Sequence, residues 1–265
     1  MTVINGLWIG PTLSPMERAC VQSFLRFGHE FHLYTYDVID NVPSGCTIRD
    51  ASKIVPASEI FVHQQVEGKG SLATFSDRFR YELLYQQGGW WMDMDVFCLT
   101  PTLPDAGVVI GRQDAQLING AVLRFPAGHV AMERAIEEAR ACGSDAHWTE
   151  IGPALLTRLV TSGVLADAIF PEQVFYPLHY SQYWAVFDPR RTAAVAERLN
   201  GAACLHLWNE MLRRGALDKT ILPPDGSMLR NLYEWTIGVE GFTHEYVLAP
   251  DSPQDSLSLR TIERR

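Results

Sequence analysis

The chain has 265 residues, 47% of them apolar, enough for a sizeable core in one large domain or two small ones. A formal charge of −9 with a pI near 5.3 leaves no basic excess to neutralise phosphates, which argues against a nucleic-acid partner. No apolar run approaches the roughly 18–20 residues that cross a bilayer, and Met1 to Gly10 lacks a basic start and long apolar middle, so a cytoplasmic protein without a transmembrane segment is expected.

Ile4 to Ile9 reads as a first strand. Ser14-Pro15-Met16-Glu17 follows as a helix start, with a cap, a first-turn proline and an acid three residues on, and Gly28 stops the helical period. A strand at Glu30 to Tyr36 completes a βαβ opening and implies a parallel sheet. Asp37 to Gly70 is rich in Pro, Gly, Ser and Asp and is expected to wander with short turns of helix. Leu72 to Gln87 is the strongest helix, with Phe75, Phe79 and Leu83 on its core side and Asp77, Arg80 and Leu84 opposite. Strands are expected at Gly107 to Gly111, Ile118 to Phe125 and Ala203 to Leu207. Helices are expected at Val130 to Ala141, Pro153 to Thr161 and Thr192 to Leu199. This alternation fits a single doubly wound α/β domain over residues 1–250, with a polar tail at 251–265 that is expected to fray. Cys20, Cys46, Cys98, Cys142 and Cys204 are scattered without a C-x-x-C pair, so they read as core-filling thiols.

The chemistry concentrates at Gly88-Gly89-Trp90-Trp91-Met92-Asp93-Met94-Asp95. On a strand, Asp93 and Asp95 project to one side while Met92, Met94 and Val96 project to the other. Burying two carboxylates costs several kcal/mol without a compensating cation, so the pair suggests a divalent metal; the plain alternative is a strand that runs out into water. Open parallel sheets bind ligands at the carboxyl ends of their strands, and a hard ion can complete two carboxylates with substrate phosphate oxygens.

Ser76-Asp77-Arg78-Phe79-Arg80-Tyr81 followed by Gly88-Gly89-Trp90-Trp91-Met92-Asp93-Met94-Asp95 resembles the signature of glycosyltransferases with a DXD sugar-binding region. That family takes in the yeast initiating mannosyltransferase, lactosylceramide α-galactosyltransferases and clostridial toxin glucosyltransferase domains. Trp8-Ile9-Gly10, Asn119-Gly120, Gly152-Pro153 and His206-Leu207-Trp208 extend the likeness over residues 3 to about 210. The resemblance implies a GT-A fold, Mn2+ or Mg2+, and retaining transfer of a hexose from a nucleotide sugar, with UDP-hexose as the default donor. The implied acceptor is a glycan or glycolipid, such as a surface polysaccharide precursor close to a membrane face.

Residue by residue, it implies that Asp95 and Asp93 hold the metal, with Asp93 also touching the ribose. Asp77 and Arg80 grip donor-sugar hydroxyls, and Trp8, beside Ile9, stacks on the base. His206 is a candidate third metal ligand, and Trp208 and Asn119 are candidate donor contacts. Each has a plainer reading: Trp8 and His206 as core residues, Asp77 and Arg80 as an intrahelical salt bridge, Asn119-Gly120 as a tight turn. No carboxylate stands out as a nucleophile, so same-face attack is favoured, with Asp114 as the alternative. A nucleotidyltransferase or phosphohydrolase using the same two aspartates, and a non-catalytic carbohydrate-binding relative, are the rival functions.

Overall fold

The opening βαβ unit forms as its caps dictate. In the computed structural model, which describes residues 1–165, 169–250, 252 and 256–264, β1 (Val3–Trp8) leads into α1 (Pro15–Arg26). The Ser14 hydroxyl accepts the Met16 N–H at 3.3 Å and Glu17 Oε2 accepts the Ser14 N–H at 2.9 Å, which satisfies donors that a helix start leaves open. β2 (Glu30–Thr35) returns parallel to β1, paired from Val3↔Glu30 to Trp8↔Thr35.

The stretch expected to wander contributes β3 (Thr47–Asp50), parallel to β2 at the sheet edge. All four of its residues are exposed, so no alternation of apolar and polar residues marked it. α2 (Ala73–Gln87) stops at Gly88, whose φ of 68° suits glycine and whose N–H donates to Leu84 O at 2.9 Å. Phe75, Phe79 and Leu83 are buried as expected, and so is Leu84, which shows that protein covers the second side of the helix too.

β4 (Gly89–Met92) and β5 (Val96–Cys98) follow, then β6 (Val109–Arg112), β7 (Ile118–Phe125), α3 (Val130–Cys142), α4 (Pro153–Thr161), β8 (Ile169–Phe170) and α5 (Glu172–Phe175). The chain closes with α6 (Thr192–Leu199), β9 (Cys204–His206), α7 (Asn209–Arg214), α8 (Met228–Thr236), β10 (His244–Leu248) and β11 (Leu259–Glu263). The seven-stranded sheet runs β3-β2-β1-β4-β7-β6-β8 and is parallel except around β7, which is antiparallel to β4 and β6. Leu7 and Trp91 join a core with α2, α3 and α4, whereas Ile4, Trp90 and Met92 join another with α1. Alternating side chains thus place helices on both faces of the sheet. A third core, under α8, seals the small β5–β9 sheet.

Two expectations are corrected here. Asp93 and Asp95 do not share a strand: β4 ends at Met92, the Val96 N–H closes a turn on Asp93 O at 3.0 Å, and the chain restarts as β5 in the small sheet. Turn geometry, not strand alternation, brings the acids together. In the tail expected to fray, β11 pairs antiparallel with β10 over Leu259–Glu263. Among the described residues, no helix is long and apolar enough to cross a membrane.

Gly88 sets where α2 hands over to β4. Its φ is 68°, and a Cβ there would stand 2.6 Å from Ala127 N. Gly88→Ala is expected to destabilise the fold by at least about 1–2 kcal/mol, read as a lower urea midpoint with an unchanged slope.

Candidate active site

Two adjoining clefts of about 370 and 360 Å³ open where β4 ends. Arg80, Asp93, His206 and Trp208 line both, so they are compartments of one site that meet at the acidic turn. The first also takes in Asp77, Asn119, Gly120, Trp148 and Tyr180; the second takes in Trp8, Ile9, Asp95 and Asn209.

Asp95 Oδ2 lies 3.1 Å from His206 Nε2 and accepts the Asn209 N–H at 2.8 Å. Burial pushes its pKa up, but His206 and the Asn209 amide outweigh that and hold the carboxyl at about 2. Asp93 Oδ1 accepts the Trp91 indole N–H at 2.7 Å and lies 3.0 Å from Arg80 Nη2. Burial, opposed by Arg80 and reinforced by the charge of Asp95, leaves its pKa raised. Ligand atoms of Asp93, Asp95 and His206 all lie within 4.8 Å of one another. Two carboxylates and an imidazole, carried on a tight turn and the facing strand end, form a donor set able to hold a divalent metal ion.

Asp77 and Arg80, one turn apart on α2, stand opposite. Arg80 Nη1 lies 3.3 Å from Asp77 Oδ1, so the guanidinium bridges Asp77 and Asp93. Its Nε donates to Ser76 O at 3.3 Å, and its carbon sits 5.3 Å from the centre of the Trp91 ring. At 5% exposure, Arg80 is no surface salt-bridge partner but the cation that neutralises a buried acidic cluster. Burial raises the pKa of Asp77 to about 6, against the pull of Arg80.

Trp8 is half-buried at the end of β1, with its indole N–H on Thr12 O at 3.0 Å and Lys219 Nζ 5.5 Å from its ring centre. With Ile9 it forms a wall of the second compartment, each of the two also packing against a core of the sheet. Three side chains of the sequence reading are tied up by specific hydrogen bonds. Asn119-Gly120 lies inside β7 and not in a tight turn. Asn119 donates to Gln113 at 2.7 Å and accepts the Ala121 N–H at 2.7 Å, which supports the irregular pairing of β6 and β7. Its amide is largely engaged in holding backbone. Trp208 lines both compartments, but its indole N–H is committed to Leu178 O at 2.8 Å, leaving its ring and not a polar donor for a ligand. Asp114 Oδ1 accepts the Gln116 and Leu117 N–H groups at 2.8 and 2.9 Å, as a turn-forming aspartate does. It does not line either compartment, so a nucleophile's role there has no geometric support.

Sequence reasoning missed Trp91, Asn209 and Lys219. Trp91 was visible as the residue two before Asp93. Asn209 acts through its backbone, where side-chain identity gives no signal. Lys219 pairs with Glu17 and reaches Asn209 Oδ1 at 3.0 Å, a contact set by tertiary folding alone.

Residues 32–115 match the glycosyltransferase sugar-binding region containing the DXD motif, and residues 124–234 match the alpha 1,4-glycosyltransferase conserved region. The lactosylceramide 4-alpha-galactosyltransferase of Rattus norvegicus is 28% identical over 160 residues, 56% of this chain and 44% of that protein. The alpha-1,4-N-acetylglucosaminyltransferase of Homo sapiens is 24% identical over 174 residues, 60% of this chain and 48% of that protein. The chain thus matches less than half the length of these relatives. Among solved structures, the PaToxG glycosyltransferase aligns with a TM-score of 0.46 at 16% identity, covering 80% of this chain and 85% of that one. The galactosyltransferase LgtC, solved with donor and acceptor sugar analogs, aligns with a TM-score of 0.41 at 12% identity, covering 90% and 98%. The acidic turn falls in the first matched region and His206 in the second, so over these two stretches the chain is similar to glycosyltransferases with a DXD sugar-binding region and an alpha 1,4-glycosyltransferase conserved region.

Proposed function

We propose that the chain is a metal-dependent, retaining glycosyltransferase of GT-A type that moves a hexose from a nucleotide sugar, by preference UDP-hexose, to a hydroxyl of a glycan or glycolipid. The observation that carries this reading is the meeting of Asp93, Asp95 and His206 with the Asp77–Arg80 pair at the junction of two compartments. A nucleotide needs one compartment, a sugar the other, and the diphosphate between them needs positive charge.

Asp93, Asp95 and His206 would hold Mn2+ or Mg2+, which when bound supplies Lewis-acid neutralisation of the departing diphosphate. Trp8 and Ile9 offer an apolar wall to the base in the second compartment. Asp77 accepts, and Arg80 donates, hydrogen bonds to sugar hydroxyls in the first. Trp91 and Arg80 fix the Asp93 carboxylate, while Asn209 and His206 fix Asp95, so the acids are oriented before any ligand arrives. No free carboxylate stands ready as nucleophile in the Asp114 turn, which supports attack from the face of departure, the acceptor proton passing to the leaving phosphate oxygen.

With manganese, no acceptor, and a panel of nucleoside diphosphate sugars, slow release of free hexose and nucleoside diphosphate is the expected outcome. Release of sugar phosphate instead would establish a phosphohydrolase or nucleotidyltransferase, and binding without turnover a carbohydrate-binding relative. Asp95→Ala should cut this turnover at least about 100-fold, as should chelation of the wild type, since each removes several kcal/mol of charge stabilisation. Full turnover in either case defeats the proposal.

Asp77 gives a pH test of its burial. With its pKa raised from 3.8 to about 6, the folded protein keeps a proton that the unfolded chain has released. That contribution to stability is present near pH 4–5 and is lost as pH rises through about 6. Asp77→Asn should therefore show a Tm gain over wild type that is larger at pH 7.5 than at pH 4.5. An equal offset at both pH values would contradict the raised pKa.

A further inference from the structure

Most glycines of the chain serve the backbone, but two lie directly against the Asp77–Arg80 pair. A Cβ on Gly120 would stand 2.8 Å from Arg80 Nη1, the nitrogen that faces Asp77, and 3.1 Å from Leu156 Cδ1. A Cβ on Gly152 would stand 2.7 Å from Asp77 Oδ2, the oxygen that does not face Arg80. Neither glycine has a positive φ, so a left-handed backbone does not account for either, although Gly152, at φ −103° and ψ −113°, also lies outside the regions other residues favour. The collisions are also unlike that of Gly88, where a Cβ would meet the main chain of Ala127. At Gly120 and Gly152 the closest atoms are the ends of two side chains of the site.

We propose that Gly120 and Gly152 are positioning residues that determine donor-sugar specificity. They let Arg80 and Asp77 lie flat against β7 and the start of α4 and so set the depth of the floor on which a neutral hexose rests. A methyl group at either position lifts one side chain into the 370 Å³ compartment by rotation about its own bonds. The floor rises under the sugar hydroxyls; the Trp8 and Ile9 wall of the second compartment touches neither glycine, and Asp77, unlike Arg80, does not line that compartment. Pocket depth at this scale discriminates hexoses by size and by the direction of a single hydroxyl. This deepens the nucleotide-sugar reading and rests on it.

The test compares Gly120→Ala and Gly152→Ala with Gly107→Ala, a glycine with nothing within 4 Å of its added Cβ. UDP binding with manganese is measured by calorimetry, and kcat/KM for donor hydrolysis is measured over a panel of UDP-hexoses. Gly152→Ala is expected to bind UDP within twofold of wild type, and both variants are expected to lose at least tenfold in kcat/KM for the best wild-type donor and to reorder the panel. Gly107→Ala should match wild type throughout. Wild-type kcat/KM and donor order in both variants overturn the proposal. So does an equal loss of UDP affinity in Gly152→Ala, which would mean that this glycine supports the whole site. Absence of both UDP binding and hydrolysis in wild type sinks the underlying reading instead. A variant that melts early is assayed below its melting transition and judged by the same ratio of sugar turnover to UDP affinity.

Discussion

The guanidinium of Arg80 is the interaction on which the rest of the site depends. Asp77, Asp93 and Asp95 crowd one end of a mostly parallel sheet, and that much negative charge in a low-dielectric setting repels itself. Arg80 touches two of the three acids, and His206 with the Asn209 amide answers the third. Losing one partner of such a buried cluster generally costs about 3–5 kcal/mol, because it strands a charge. The surroundings of Arg80 follow from this: the Ser76 carbonyl and the Trp91 ring hold it from two sides, and Gly120 leaves room beneath it. Two helix residues, Asp77 and Arg80, and the turn acid Asp93 thus form one electrostatic unit.

Much of this arrangement was legible in the chain because its signals are local. The capping box at Ser14, the Gly88 stop and the i, i+3 spacing of Asp77 and Arg80 each report on a few neighbouring residues, and each formed as expected. What stayed hidden depends on distant residues or on backbone. β3 is exposed throughout and joins the sheet only because β2 offers an edge. The turn at Asp93 to Asp95 looked like a continuing strand, since apolar residues flank both acids and a period of two cannot tell a strand from a strand that stops between them. Asn119 and Trp208 were read as ligand contacts because polar and aromatic groups near a site invite that reading. Both do line the cleft, and what the chain did not reveal is that their hydrogen bonds hold β6–β7 and Leu178.

The backbone of Trp208 adds a geometric reason for the shape of the cleft. Its φ of 55° is unusual for a residue with a large side chain, and it turns the chain sharply from β9 into α7. That turn aims the Asn209 N–H at Asp95 while keeping the indole against His206, ring centre to ring centre at 4.1 Å. Strain of this sort persists where surrounding contacts over-determine the conformation, and here the Leu178 carbonyl does so.

One consequence lies in how the two metal-side acids are anchored. Asp93 extends the large sheet, its N–H donating to Ala121 O at 2.8 Å, whereas the Asp95 carbonyl accepts the Leu207 N–H at 2.9 Å and belongs to the small one. The spacing between the carboxylates is therefore not a property of three consecutive residues but of how two sheets sit against each other. Any cation clasped there stitches a seam of the architecture, and breathing along that seam registers directly as a change in its grip.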